Sequence, residues 1–105
     1  MKTAMQKVFG TSPRVKVLDI LLCGRDFDYT LTDIAEDAKI SRSTLHIMWK
    51  DLLKKNIVVG TRVIGRIQLY KLNSDSIQVK ELIRMYDSLL LSESDKIKKK
   101  VFVKS

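Results

Sequence analysis

The stretch LTDIAEDAKISRSTLHIMWKDLLKK, residues 31–55, decides the fold because it carries two helical patterns on either side of a very short break. In both patterns the apolar residues recur at steps of three and four, which is typical of helices with one buried face. The break is Lys39-Ile40, which leaves room only for a tight corner. Ser41 follows it and can cap the second helix through its side chain. The sequence therefore predicts two short helices with a corner between them, the second ending near Lys55.

The segments around this stretch predict one helix before it, and a hairpin and a further helix after it. Pro13 follows two capping residues, as at the first turn of a helix. Asn56 can adopt the left-handed conformation that ends a helix, and β-branched residues follow it. Ile64-Gly65 predicts a turn between two strands. The predicted elements are helices over 13–23, 31–38 (capped by Thr30 or Thr32), 41–55 and 77–91, and strands over 57–63 and 66–72.

The order of these elements predicts a mostly α-helical α+β fold, in which a helix-turn-helix is followed by a two-stranded wing. At 105 residues and 45% hydrophobic, the chain is long enough for one such domain and too short for two. We expect a winged helix-turn-helix with a three-helix core, a wing and a C-terminal dimerisation helix. The boundaries are 1–10 for an N-terminal extension without periodicity, 11–73 for the winged helix-turn-helix, 74–92 for the dimerisation helix and 93–105 for a basic flexible tail.

The charge is strongly positive and unevenly distributed. The formal net charge of +8 points to an anionic partner, either nucleic acid or an acidic membrane surface. Residues 26–37 hold five acids and no Lys or Arg. Residues 42–71 hold seven Lys or Arg and a single acid, Asp51. The second helix of the pair and the hairpin should therefore form one basic face.

The helix over 41–55 should turn one face to the core and the other to solvent. At about 100° per residue, its large apolar residues cluster on one side. The opposite side suits a DNA groove, because its side chains can bond base edges and phosphates or touch a thymine methyl. Each of them alone would equally suit a solvated helix face. The core side carries Leu45, Met48, Trp49 and Leu52, and the outer side carries Ser43, Ile47, Lys50 and Lys54, with His46 at the edge and Arg42 at the helix start.

Two arginines flank the tip of the predicted hairpin. Arg62 and Arg66 lie on either side of Val63-Ile64-Gly65 and could project toward the DNA backbone or minor groove. The alternative is a solvated hairpin without a partner. The neighbouring basic helix favours the DNA interpretation, because wing and recognition helix lie side by side in this architecture.

Several short motifs together resemble a known class of regulator. They are "IAE" at 34–36, "SRSTL" at 41–45, and "GR" with "LYKLN" at 65–73. In this order they resemble winged helix-turn-helix regulators of the broad ArsR/MarR type, and the archaeal branch most of all, over about residues 9–90. The resemblance implies a DNA-binding dimer that uses the helix over 41–55 as its recognition helix. The positions it places near DNA are Arg42, Ser43, Thr44, His46, Ile47 and Lys50.

The last predicted helix carries a wider apolar stripe than a core of this size needs on one side. We expect the surplus to meet a second copy of the chain, which predicts a homodimer. Phe9 could pack against this helix in either chain. The predicted interface consists of Val79, Leu82, Ile83, Tyr86, Leu89 and Leu90.

Several other kinds of site have no basis in the sequence. One cysteine, Cys23, and one histidine, His46, do not make a convincing metal set, so no metal or cofactor is expected. There is no Ser-His-Asp or Cys-His arrangement and no phosphate-binding glycine loop, so we expect no enzyme and no small-molecule site. Cys23 and Trp49 are predicted to be core residues. Phe27 and Tyr29 are predicted to anchor a loop or to pair a short strand against the wing.

The expected partner is double-stranded DNA in the cytoplasm. No apolar run reaches the roughly 18 residues of a membrane span, and the first ten residues contain no signal core, so no membrane partner is expected. The same fold also serves protein assembly and RNA binding, which stay open as the second interpretation. The basic face favours nucleic acid over protein. The major groove of RNA is deep and narrow and excludes side chains. A helix that reads a groove therefore favours duplex DNA over RNA.

Overall fold

Five helices and one antiparallel hairpin make up the computed structural model, which describes the backbone of residues 2–104 and the side chains of residues 2–93. The predicted α+β class is confirmed. Two helices precede the helix-turn-helix pair, the hairpin follows the pair, and a long helix comes last among the described residues. The elements are α1 (Ala4–Phe9), α2 (Pro13–Cys23), α3 (Leu31–Ala38), α4 (Arg42–Lys54), β1 (Val58–Ile64), β2 (Ile67–Leu72) and α5 (Ile77–Lys104).

Side-chain caps fix the starts of the three helices that surround the corner. Ser12 accepts a hydrogen bond from the amide of Val15, and Thr30 accepts one from Asp33. Ser41 caps α4 in the same way, so each helix begins where its capping residue predicted. The corner itself closes with a left-handed residue at Lys39, whose φ is 57°.

The hairpin is held by a two-residue turn and bends at a bulge. Gly65 is the first turn residue and has a φ of 64°, a left-handed value that glycine adopts without strain. Ile64 pairs with Ile67 directly across the turn. Between Gly60 and Val63 the register shifts, because β1 has one residue more than β2 over this span. The strands begin one residue later than the sequence predicted, and β1 ends one residue later.

The core lies between α2, α3, α4, the base of the hairpin and the first half of α5. Trp49 of α4 is 2% exposed and meets Tyr70 of β2 edge to face, with ring centroids 5.3 Å apart. The burial of Trp49 is therefore as predicted. Its fully buried neighbours include Val17, Leu21, Leu22, Ile34, Leu45, Leu52, Val58, Leu72 and Val79.

The N-terminal extension, in which the sequence shows no periodicity, contains the short helix α1. Thr3 and Gln6 form a reciprocal capping box that starts α1. Met5 buries its side chain, and the Thr3 hydroxyl donates to buried Asp19 of α2 at 2.7 Å. A six-residue helix with a single buried side chain gives no detectable period, which is why the sequence pattern missed it.

Two expectations need correction. Cys23 is exposed rather than in the core, because it is the last residue of α2 and faces a surface groove near Tyr86. The last helix does not end near Leu91 but continues to Lys104. Residues 92–104 contain no Pro or Gly and many good helix formers, so nothing in them ends a helix. The side chains of the predicted flexible tail from residue 94 onward lie outside the described ones.

Candidate nucleic-acid interface

Helix α4 divides its residues between the core and an exposed polar face. Leu45, Met48, Trp49 and Leu52 are buried, as the spacing predicted. On the opposite side Ile47 is 76% exposed. All the other predicted DNA residues of this helix are exposed as well: Arg42, Ser43, Thr44, His46, Lys50 and Lys54.

The start of α4 is held in place by hydroxyl groups. The Ser41 hydroxyl donates to the Thr44 hydroxyl at 2.8 Å and accepts from the Thr44 amide at 3.1 Å. The guanidinium of Arg42 donates to the Thr32 hydroxyl of α3. Arg42 therefore links the starts of the two helices at the corner. The Thr44 hydroxyl takes part in the cap as the acceptor of the bond from Ser41.

A shallow groove joins this corner to the wing. It has a volume of about 570 Å³ and lies between the starts of α3 and α4 and the strand β2. Arg42 and Arg66 both line it, together with Thr30 and Thr32. The only acid among its lining residues is Asp33. Two predicted DNA residues that are 24 positions apart in the sequence thus share one cationic groove.

Arg62 forms an ion pair beside the hairpin, and its contact with DNA stays a prediction. Its guanidinium donates twice to Asp28, with Nε to Oδ2 at 2.9 Å and Nη2 to Oδ1 at 3.3 Å. Thr61 donates to the same carboxylate at 2.7 Å. The hydrogen bonds from Arg62 and then from Thr61 lower the pKa of Asp28 below its ordinary value of 3.8. The bulge in β1 brings Thr61 and Arg62 to this position.

The base of the wing is tied to the same loop through the backbone. Tyr29 and Tyr70 exchange two backbone hydrogen bonds, of 2.7 and 2.9 Å. The prediction that Tyr29 pairs against the wing is confirmed. Phe27, by contrast, is 67% exposed and lies at the edge of a surface groove that Tyr29 also lines. Asp28 was not among the predicted site residues. Its position just before Tyr29 was the one signal in the sequence that could have placed it beside the wing.

The single acid of the basic stretch is neutralised at the side of α4. Asp51 pairs with Arg14 of α2 at 2.9 Å and with Lys55 at 3.0 Å. Hydrogen bonds from Lys55 first and Arg14 second lower the pKa of Asp51. Within residues 2–93, Lys50 and Lys54 form no ion pair. The outer face of α4 therefore keeps its positive charge.

The predicted dimer residues of α5 divide into two groups. Val79 and Tyr86 are buried in the chain's own core, and burial, followed by the Cys23 thiol, raises the pKa of Tyr86 to about 12. Neither can supply surface to a partner. The other four keep accessible surface: Leu82, Ile83 and Leu89 are half-buried, and Leu90 is 44% exposed.

The described part of the chain contains neither a metal-binding cluster nor a helix that could cross a membrane. Among these residues no three His, Cys, Asp or Glu side chains come together as a metal-binding group. None of the helices, over the same residues, combines the length and the apolar character needed to cross a membrane.

Comparison with known proteins identifies the fold. No protein-family model and no curated protein matches the chain. A solved structure of a ZitR variant from Lactococcus lactis is 22% identical with a TM-score of 0.58, and covers 81% of this chain and 60% of its own. The adhesin competence repressor AdcR of Streptococcus pyogenes is 20% identical with a TM-score of 0.60, over 86% of this chain and 64% of its own.

Two further solved structures extend the likeness. A MepR variant from S. aureus is 16% identical with a TM-score of 0.62, over 92% of this chain and 71% of its own. A ZitR variant in complex with DNA gives 22% identity and a TM-score of 0.58. The chain spans about 60% of the length of the ZitR structures. These bacterial proteins give no support to the archaeal branch. The winged helix-turn-helix fold predicted from residues 31–72 is confirmed.

Proposed function

We propose that this chain is a sequence-specific, double-stranded DNA-binding transcriptional regulator that acts as a homodimer in the cytoplasm and has no catalytic role. One observation carries the proposal. The outer face of α4 is exposed along its whole length, is polar or cationic except for Ile47, and has no ion pair among the described residues that would neutralise Lys50 or Lys54. A helix with this outer face fits the major groove of B-form DNA.

Each outer residue has a role that its chemistry supports. Ser43 and His46 can hydrogen-bond base edges, Ile47 can contact a thymine methyl, and Lys50 can reach a base or a phosphate. Arg42 and Arg66, which share the groove at the corner, are placed to hold one backbone strand. The structure of a ZitR variant with DNA supports the proposal, because the likeness to it covers 81% of this chain.

The surface that α5 leaves uncovered supports the proposed dimer. Leu90 and Leu91 are 44% and 66% exposed, and Lys7 of α1 pairs with nearby Glu93 at 3.5 Å. Val8 and Phe9 add further exposed apolar surface on α1, which contacts α5. A two-fold dimer through these helices would set two copies of α4 about 34 Å apart, one turn of DNA, and would select pseudo-palindromic sites.

The test is selection of bound duplexes from a random-sequence pool, followed by titration of the enriched duplex at several salt concentrations. We expect an enriched two-fold symmetric site, and a log–log salt dependence with a slope of about −0.9 for each phosphate neutralised. Single-stranded and duplex RNA of the same sequence serve as competitors. A slope near zero, or equal competition by RNA, would contradict the proposal and favour the protein-assembly or RNA interpretation.

A further inference from the structure

The tip of the wing is apolar and uncovered. Val63, Ile64 and Ile67 are 60%, 55% and 56% exposed, although β-branched side chains of this size are usually buried in small domains. Ile64 and Ile67 face each other across the two-residue turn, so their side chains stand side by side on one face of the hairpin. They form an apolar edge two side chains wide, which we call the isoleucine tip.

The charges around the isoleucine tip fit an anionic partner. Arg66 lies in the turn between the two isoleucines and also lines the groove with Arg42 at the start of α4. Arg62 is held back by Asp28, so it does not reach the tip in this structure. The tip therefore presents two apolar side chains and one unpaired guanidinium among the described residues. It is continuous with the cationic surface of the recognition helix.

We propose that the isoleucine tip enters the minor groove of the bound duplex and partly unstacks a base step, so that the DNA is kinked. This inference rests on the proposed function. Apolar wedges from proteins act on the minor groove in this way, and a neighbouring arginine binds the groove or the adjacent phosphates. A two-residue turn makes the end of the hairpin narrow, and two β-branched side chains lose little rotamer freedom when they insert.

A second copy of the chain is a poorer occupant for the same surface. Contact between two isoleucine tips would bring the Arg66 side chains of both copies together without an acid at the tip to separate them. Like charges at such close range are unfavourable, whereas phosphates would compensate both the tip arginine and the nearby Arg42. The charge at the tip thus favours DNA over self-association.

The experiment measures the bend angle of the enriched duplex by energy transfer between dyes at its two ends. With the wild-type chain we expect a bend of roughly 20–90°, the range found for apolar wedges. The variant Ile64→Ser with Ile67→Ser should still bind and should lose most of the bend. The control is Ile77→Ser, an isoleucine at the start of α5 that is even more exposed, at 77%, and this variant should leave the bend unchanged.

A second measurement uses the unaltered chain, so that it does not depend on how well the variant folds or binds. 2-Aminopurine placed at successive steps of the duplex should brighten on binding at the step that the tip unstacks. Binding without a bend, a bend that survives in the double variant, or no brightening at any step would overturn the inference and leave the proposed function standing. Failure to bind any duplex would overturn both. A change of oligomeric mass in the double variant, with the bend retained, would assign the tip to a protein contact.

Discussion

Helices α4 and α5 both carry a repeating apolar stripe, but they leave very different surfaces uncovered. In α4 Leu45, Met48, Trp49 and Leu52 are buried, and what remains outside is cationic and polar apart from Ile47 and the partly exposed Leu53. Among the side chains of α5 up to residue 93, only Val79 and Tyr86 are buried, and the apolar stripe continues onto the outside through Leu90 and Leu91. The lesson is that periodicity finds the buried face of a helix, while the chemistry of the opposite face indicates which partner it suits.

The largest expected effect tests whether the two faces of α4 are assigned correctly. Trp49→Ala should lower the free energy of unfolding by roughly 3–5 kcal/mol, because it removes a buried aromatic side chain from the centre of the core. Its neighbour Lys50→Ala is exposed and should change the free energy by no more than about 0.5 kcal/mol. Urea denaturation of the two variants and the wild type measures both values.

A third variant separates packing from hydrogen bonding at this position. The Trp49 indole nitrogen is buried and finds no hydrogen-bond partner among the described residues. Trp49→Phe therefore loses ring volume without losing a hydrogen bond, and we expect it to be milder than Trp49→Ala. If Trp49→Ala and Lys50→Ala were equally destabilising, the comparison between the two faces of α4 would fail.

The helix-turn-helix was predictable because local signals agree with the tertiary packing there. Ser12, Thr30 and Ser41 cap the helices that they precede, and Asn56 ends α4 in the left-handed conformation. A cap acts over three or four residues, so the sequence shows it directly. The exposure of α4's outer residues follows from the same local period.

The features that the sequence did not predict depend mostly on contacts between residues far apart in the chain. The partner of Arg62 is Asp28, 34 positions earlier, and the bulge that brings them together has no local signature. Tyr86 is buried because its turn of α5 packs against the core. The apolar stripe of α5 continues beyond that turn, so the sequence alone does not show where the contact with the core ends. Cys23 was placed inside because small residues usually are buried, yet its position at the very end of α2 puts it outside.

The next expected effect tests the apolar outer surface of α5. Leu90→Glu with Leu91→Glu should convert a dimer into a monomer, because it places two charges in an apolar interface. Static light scattering after size-exclusion chromatography, at micromolar concentration, measures the mass. Ile77→Glu is the matched control, since Ile77 is 77% exposed but lies in the first turn of the same helix. A wild-type monomer, or a dimer that tolerates both charges, would remove this surface as the interface.

A smaller effect tests the cationic outer surface of α4. Lys50→Ala should weaken binding to the enriched duplex and reduce the salt slope by about 1 if the lysine contacts a phosphate, or change the preferred base if it contacts the groove. Lys80→Ala removes the same charge from an exposed position on α5 and should leave sequence preference unchanged. Equal effects of both variants would indicate that only net charge matters, and the distinction between the two helices would disappear for DNA binding.

The smallest effect concerns the acid that holds the wing beside α4. The hydrogen bonds from Arg62 and Thr61 lower the pKa of Asp28 in the folded chain below the ordinary value of 3.8 expected after unfolding. The unfolded chain therefore binds this proton more readily. The stabilisation is complete above about pH 4 and is lost as the pH falls through the folded pKa.

Urea denaturation between pH 7 and pH 2.5 should accordingly show a shallower acid decline for Asp28→Asn than for the wild type. Asp75→Asn is the control, because Asp75 forms no ion pair in the part of the chain described. Arg62 would also be freed in Asp28→Asn, so the variant should bind duplex DNA at least as tightly as the wild type and with a steeper salt dependence. If the acid decline were unchanged and binding weaker, the contact between Asp28 and Arg62 would be a support that the wing needs in order to bind, rather than a restraint on a DNA-binding arginine.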